Sequence, residues 1–290
     1  MRVILTGATG FLGRHVLGVL QDHEVLCLSR DPRRIAAARN VRAIGADFGE
    51  RGGWVDEVAA FDPDWCFHLA WEGLPDYSPE RCRANLSAGR RLLDAVAGAG
   101  IARLIVAGTC WEYGAASGSV AEDRAPVDPG VFAATKLELL ESVRETAAQR
   151  GFDYRWARLF FVYGPGQRPT SLIPSLRTSY LAGQAPEIRE PGAVQDFIHV
   201  SDAAEGLVAL GAADAPSGVF NLGSGRPTSV AAVANQVADN YGKPRPFDAA
   251  GEGRGFWADT SKTSAAAGWR AGIGIEAGIA QTLAALDANG

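Results

Sequence analysis

Short apolar runs alternate with stretches of helical periodicity through the first 110 residues. Val3-Ile-Leu5 reads as a buried strand and Phe11 to Leu20 as a helix. Glu24 to Leu28 is a second strand, and Pro32 to Ala38 a second helix. Val41 to Ile44 leads to Asp47, Trp65 to Leu69 is another strand, and Pro79 to Ala99 reads as a long helix before the strand Arg103 to Ala107. These runs are apolar throughout, as expected where both faces of a strand are covered. Strands alternating with helices point to βαβ units and a parallel sheet, an α/β fold. Lys136 to Gln149 is a further helix with Gly151 as its stop, and Arg155 to Val162 the next strand. Beyond Tyr163 the pattern loosens, with Gly, Pro and Arg punctuating residues up to 192, then 223–229 and 242–255. We therefore expect a first domain of residues 1–165 with crossing segments near 193–225, including Gly218 to Leu222. Residues 166–192 and 226–290 are expected to form a smaller lobe.

Composition narrows the possibilities. Of the 290 residues, 47% are apolar and 21% charged, which suits a chain with a sizeable core rather than a disordered one. The net charge of −5 comes with no basic block, so no nucleic-acid partner is expected. No apolar run approaches the roughly 18 residues of a membrane helix. The chain enters a strand at Met1 with no charged leader or hydrophobic signal core. Cys27, Cys66, Cys82 and Cys110 lack paired spacing, so neither a metal site nor a disulfide framework is indicated. A cytoplasmic location is the expectation. Only three of 28 basic residues are lysines: Lys136, Lys243 and Lys262.

The chemistry begins at Thr6-Gly7-Ala8-Thr9-Gly10-Phe11-Leu12-Gly13, between the first strand and first helix. Gly7 permits a tight turn, Gly10 lets backbone approach a pyrophosphate, and Gly13 lets helix and strand pack closely. The helix N-terminus, with free N–H groups and a favourable dipole, then receives the anion. This is the fingerprint of a Rossmann-type doubly wound parallel sheet, here with a small C-terminal substrate-binding lobe. An acidic residue about 20 positions on would grip an NAD ribose diol. Ser29 stands there instead, followed by Arg30, with Arg33 and Arg34 nearby and Asp31 between. A guanidinium pair, Arg30 and Arg33, suits a 2′-phosphate, so NADP(H) is favoured, with NAD(H) possible.

Several ordered motifs resemble an extended short-chain dehydrogenase/reductase of the branch acting on nucleotide sugars. Thr6 to Gly13 matches the cofactor turn, and Asp47-Phe48 the acidic-apolar pair beside adenine. His68-Leu69-Ala70 resembles the strand end beneath the pyrophosphate, and Asn85 the asparagine of the long helix. Thr109-Cys-Trp-Glu-Tyr-Gly114 resembles the catalytic Ser/Thr segment, and Lys136 fills the lysine of Tyr-x-x-x-Lys. Arg158 to Gly166, Asp196 to Val200 with Asp202, Phe220 to Gly225, and Arg254 through Asp259 and Lys262 to Gly268-Trp269 are further landmarks. The resemblance implies that Gly7, Thr9, Gly10, Phe11, Leu12, Gly13, Arg30, Arg33, Asp47, Phe48, Leu69, Ala70, Lys136 and Phe160 hold the cofactor. It also implies a homodimer built on the helices around 79–99 and 136–149. Thr109 to Gly114 and Trp71-Glu-Gly-Leu-Pro75 look most like 4-keto-6-deoxysugar nucleotide reductases, such as the abequose and paratose synthases. The implied activity is NADP(H)-dependent reduction of a 4-keto nucleotide sugar; a 4-epimerase or dehydratase with bound NAD(P), or a non-catalytic NADP-binding regulator, are the alternatives.

One departure dominates. Family chemistry uses a tyrosine as proton donor or acceptor, tuned by the lysine and aided by the Ser/Thr hydroxyl. Thr109 and Lys136 are present, but the residue four before the lysine is Phe132, which carries no proton. Three readings stand open: an engineered Tyr→Phe change, a natural site using another acid such as Glu112, Cys110, Tyr113 or a water, or a protein that binds cofactor without turnover. Two departures touch the substrate. By the resemblance, Phe161 stands where many relatives carry an asparagine that meets the nucleotide sugar, and Gln195 where an arginine usually meets the diphosphate; Arg254 remains at the other family diphosphate position, with Arg168 or Arg177 as loop cations. Trp71 and Trp111 are candidates to flank the sugar, while His68 and His199 read as core residues and Cys110 as a small hydrophobe.

Overall fold

The computed structural model describes residues 1–248 and 253–288; part of the punctuated 242–255 stretch and of the expected lobe lies outside them. The chain runs β1 (Arg2–Thr6), α1 (Phe11–Val19), β2 (Glu24–Ser29), β3 (Val41–Gly45), α2 (Trp54–Phe61), β4 (Trp65–His68), α3 (Pro79–Gly98), β5 (Arg103–Thr109), β6 (Gly118–Val120), α4 (Val131–Arg150) and β7 (Asp153–Leu159). It continues through β8 (Phe161–Tyr163), α5 (Leu172–Leu181), β9 (Val194–His199), α6 (Val200–Ala212), β10 (Gly218–Leu222), β11 (Pro227–Ser229), α7 (Val230–Asn240), β12 (Phe256–Ala258), α8 (Ser261–Ala267) and α9 (Ile275–Ala288).

Seven strands form one parallel sheet in the order β10-β7-β5-β4-β1-β2-β3. The order reverses beside β1, and in such a sheet ligands bind in the crevice beyond the strand C-termini at that point. The continuous apolar strands explain the layering. Ile4, Leu26, Cys66 and Val106 bury one sheet face under α2, α3 and α4, while Val3, Leu5, Phe67 and Ile105 bury the other under α1 and α6. A separate three-stranded sheet, β11-β9-β8, packs with α5, α7 and α9 around Tyr163, Ile173, Leu176 and Val237. That is the lobe.

The observed elements differ from the expected ones in four places. The helix expected over Pro32 to Ala38 is a single 3₁₀ turn, Pro32–Arg34, which buries none of its residues and so has no packing to extend it. Helix α2 was not anticipated, although Trp54 and Val58, one turn apart, are its buried pair. Helix α4 starts at Val131, five residues early, so Phe132 and Lys136 share one helix a turn apart. The strand expected from Arg155 to Val162 breaks at Phe160, whose N–H donates to the Leu222 carbonyl at 3.1 Å. The chain leaves the main sheet there, and β8 pairs with β9. The lobe boundary also shifts: β9 belongs to the small sheet, whereas α8 and Trp269 pack on α6 of the large domain. Among the described residues, no helix is long and apolar enough to cross a membrane.

Candidate active site

Steric necessity fixes the glycine turn. Gly7 has φ +77°, and a Cβ built on it would lie 2.9 Å from the Ala70 nitrogen. A Cβ on Gly13 would overlap the Gly7 carbonyl oxygen. Gly10 is the N-cap of α1 and places no side chain over the helix end, so its first N–H groups face the cleft. Thr6 ties this turn to the end of β4: its Oγ1 accepts from the N–H groups of Leu69 and Ala70, both at 3.2 Å, and bonds His68 Nδ1 at 2.9 Å. Burial, helped by the Lys136 charge, lowers His68 to about 3, so its ring is neutral and serves this tie.

A cleft of about 740 Å³ opens over the strand ends. Gly7, Thr9, Gly10, Phe11, Leu12, Gly13, Arg30, Asp47, Phe48, Leu69 and Ala70 line one end, and Thr109, Phe132, Lys136 and Phe160 the middle. Trp71, Trp111, Phe161 and Gln195 line the rest, with Arg168 and Phe197 joining them. The glycine cradle, the uncapped helix end and the buried lysine together fit a dinucleotide cofactor.

Three expected residues are not among those lining the cleft, and each for a visible reason. Arg33 is turned outward, 88% exposed, and paired with Asp31 at 2.8 Å. Arg254 is exposed at the start of the segment leading to β12. Glu112 is fully buried; it accepts from the Thr109 N–H at 2.8 Å and Trp156 Nε1 at 3.0 Å, and pairs with Arg158 at 2.8 Å. With Thr109 it closes a capping box around the turn Cys110–Tyr113. Its carboxylate oxygens are taken up by these partners, among them the Thr109 backbone. Arg30 does line the cleft, but its guanidinium pairs with Glu72 at 2.7 Å.

At the centre, Lys136 is 5% exposed, donates from Nζ to the Ala107 carbonyl at 2.8 Å, and lies 4.2 Å from the Trp71 ring centre. Burial lowers it to about 8, against the opposing charge of Glu112. The Phe132 ring, a turn earlier, meets Trp71 at 5.1 Å, Trp111 at 5.9 Å and Tyr77 at 5.0 Å. Tyr77, directly before Ser78, the N-cap of α3, also lines the cleft, and no motif in the sequence marks it.

This geometry can be set beside known proteins. Residues 3–223 match the NAD dependent epimerase/dehydratase family over most of the chain. The chain belongs to that family. Among its relatives is a dTDP-L-rhamnose 4-epimerase of Burkholderia thailandensis, 26% identical over 97% of this chain and 93% of that protein. A 3-diazoavenalumate denitrifying reductase of a Streptomyces species is 28% identical over 85% of this chain and 83% of its own length. Among solved structures, MoeE5 in complex with UDP-glucose and NAD is 30% identical, with a TM-score of 0.86 over 100% of this chain and 99% of that one. TunA, an NAD dependent NDP-hexosamine 5,6-dehydratase, is 28% identical with a TM-score of 0.80 over 99% and 98%. As an epimerase/dehydratase family member, the chain has a seven-stranded Rossmann-like core, with Phe132 beside Thr109 and Lys136 in its cleft.

Proposed function

We propose that this protein reduces the keto group of a 4-keto nucleotide sugar, with NAD(P)H as hydride source. The observation that carries the reading is Phe132 beside an intact Thr109 and Lys136. Epimerases and dehydratases that pass through a 4-keto intermediate begin by oxidising a sugar hydroxyl, which requires a base for the hydroxyl proton. Phenylalanine supplies none, whereas reduction can take its proton from a neighbouring donor or from water. A reductase starts from a carbonyl already at the required oxidation level. When bound, a reduced nicotinamide supplies the hydride. The Thr109 hydroxyl, held by its capping box, is placed to donate to the carbonyl oxygen, and the Lys136 ammonium stabilises the negative charge that develops there. The nucleotide-sugar class is supported by MoeE5, described with UDP-glucose and with UDP-glucuronic acid. Net reduction is supported by the Streptomyces relative named as a reductase.

Arg30 is the cleft residue suited to a 2′-phosphate, so NADPH is proposed ahead of NADH. The named NAD complexes among the solved relatives favour the second reading, a 4-epimerase or dehydratase that keeps NAD bound. The test is coenzyme oxidation on 4-keto-6-deoxysugar nucleotides by this chain and by Phe132→Tyr. Turnover by the chain as it stands, faster with NADPH, is expected. Activity in the tyrosine form alone means Phe132 is a block. Fluorescence-detected NADPH binding with no oxidation by either form points to a regulatory, non-catalytic protein.

A further inference from the structure

A ketone reduction ends with a proton on the substrate oxygen, and position 132 cannot donate one. Other protonated groups around the site are poorly placed. The Glu112 carboxylate is buried in its ion pair with Arg158. The Tyr113 hydroxyl donates to Asn221 Oδ1 at 2.6 Å in a fully buried contact. Burial pushes the Cys110 thiol and the Tyr163 phenol upward, and His68 is spent on Thr6.

We propose, on the reductase reading above, that Tyr77 supplies the proton that a tyrosine at position 132 would have carried. Its ring lies 5.0 Å from Phe132 and 5.3 Å from Trp111, so it lines the same wall of the cleft as the side chain it replaces. The ring is half-buried, placed between the cleft and solvent. The segment that carries it is pinned at several points. Asn85 Oδ1 accepts from the Glu72 N–H at 2.6 Å, and Asn85 Nδ2 donates to the Glu72 carbonyl at 3.0 Å. Arg81 pairs with Glu72 at 3.2 Å and with Asp76 at 3.7 Å. Asp76 Oδ1 accepts from the Ser78 N–H at 2.9 Å, and Ser78 Oγ caps α3. Tyr77 therefore stands on a braced turn, as a proton donor needs.

The step balances simply. As hydride reaches the carbonyl carbon, its oxygen becomes an alkoxide; the phenol O–H of Tyr77 breaks and the substrate O–H forms. The phenolate regains its proton from solvent through the open side of the cleft.

The experiment compares the parent chain with Tyr77→Phe, Phe132→Tyr and the double variant. Tyr77→Phe is expected to lower kcat by about 10²–10⁴, the usual range for a general acid, with NADPH affinity unchanged. Adding Phe132→Tyr to it is expected to restore at least about tenfold, because a phenol returns beside the lost one on the same wall. Calorimetry of the alcohol product with oxidised coenzyme gives a reading independent of turnover: roughly tenfold weaker binding in Tyr77→Phe, the cost of one lost hydrogen bond. Equal kcat and equal product affinity in Tyr77→Phe would overturn the proposal while leaving the reductase intact. A loss of kcat that the double variant does not recover, with product binding unchanged, overturns it too. If the parent and Phe132→Tyr are both inert on every keto sugar, the reductase reading fails, and unchanged calorimetry then removes Tyr77 as well.

Discussion

Lys136 shows how much a single buried charge can decide. The sequence marked it through its scarcity and its motif position, and it lies at the centre of the cleft. Its ammonium titrates at about 8 in the folded chain against a reference of 10.5. Below pH 8 the folded state holds a charge that burial disfavours. Between about 8 and 10.5 the unfolded chain binds more protons than the folded one, so this group's contribution to stability rises with pH. Catalysis should move the other way. Reduction is expected to slow as pH rises through about 8, because the charge that stabilises the developing oxyanion is lost. A pH–rate profile checks this: Lys136→Arg, if it turns over at all, should lack that limb. A parent profile flat to well above pH 8 would remove the ammonium from the chemistry. Phe132 was legible as a departure from its motif, whereas Tyr77 was not, because a contact between a loop and the start of a helix leaves no spacing to read.

At the level of elements, the strands and the glycine turn were readable because burial on both faces and a forbidden Cβ leave direct marks in the sequence. The exceptions carry no such mark: the 3₁₀ turn after β2, which buries none of its residues, the early start of α4, and the break at Phe160. The turn Cys110–Tyr113 after β5 is the most consequential of these local structures, since it aims Thr109. The sequence offered Glu112 as a substitute acid; its buried pairing with Arg158 favours a supporting role. Glu112→Gln is expected to cost about 3–5 kcal/mol of stability, because it leaves the buried Arg158 without its counter-charge. Thermal and denaturant unfolding measure this. A variant with unchanged stability but activity lost by more than about a hundredfold would instead return Glu112 to the chemistry.

For the whole molecule, the arrangement of a large sheet and a small lobe puts Thr109, Phe132, Lys136 and Tyr77 in one cleft. The substrate side was the least legible. Phe161 and Gln195 line that cleft, but Arg254 does not, and Arg168 is a cation of its lining that could meet a diphosphate. We propose that the chain dimerises through α3 and α4, as the family resemblance implies. Among the described residues, Val131 is the single large exposed apolar side chain on these helices, while Arg83, Arg90, Glu138, Glu141 and Arg144 are exposed. Such a dimer depends on charge and is expected to weaken with salt, as sedimentation at rising ionic strength would reveal. A salt-insensitive dimer would place the interface elsewhere.

The central claim is net hydride delivery to a keto sugar by a site with phenylalanine at position 132. Its most direct test follows deuterium from the transferable C4 position of labelled NADPH into the sugar product by mass spectrometry. The account predicts stoichiometric deuterium on the newly formed carbinol carbon, with one coenzyme oxidised per product. Product formed without carbon-bound label and without net coenzyme consumption would contradict it and assign the chain to an epimerase or dehydratase cycle.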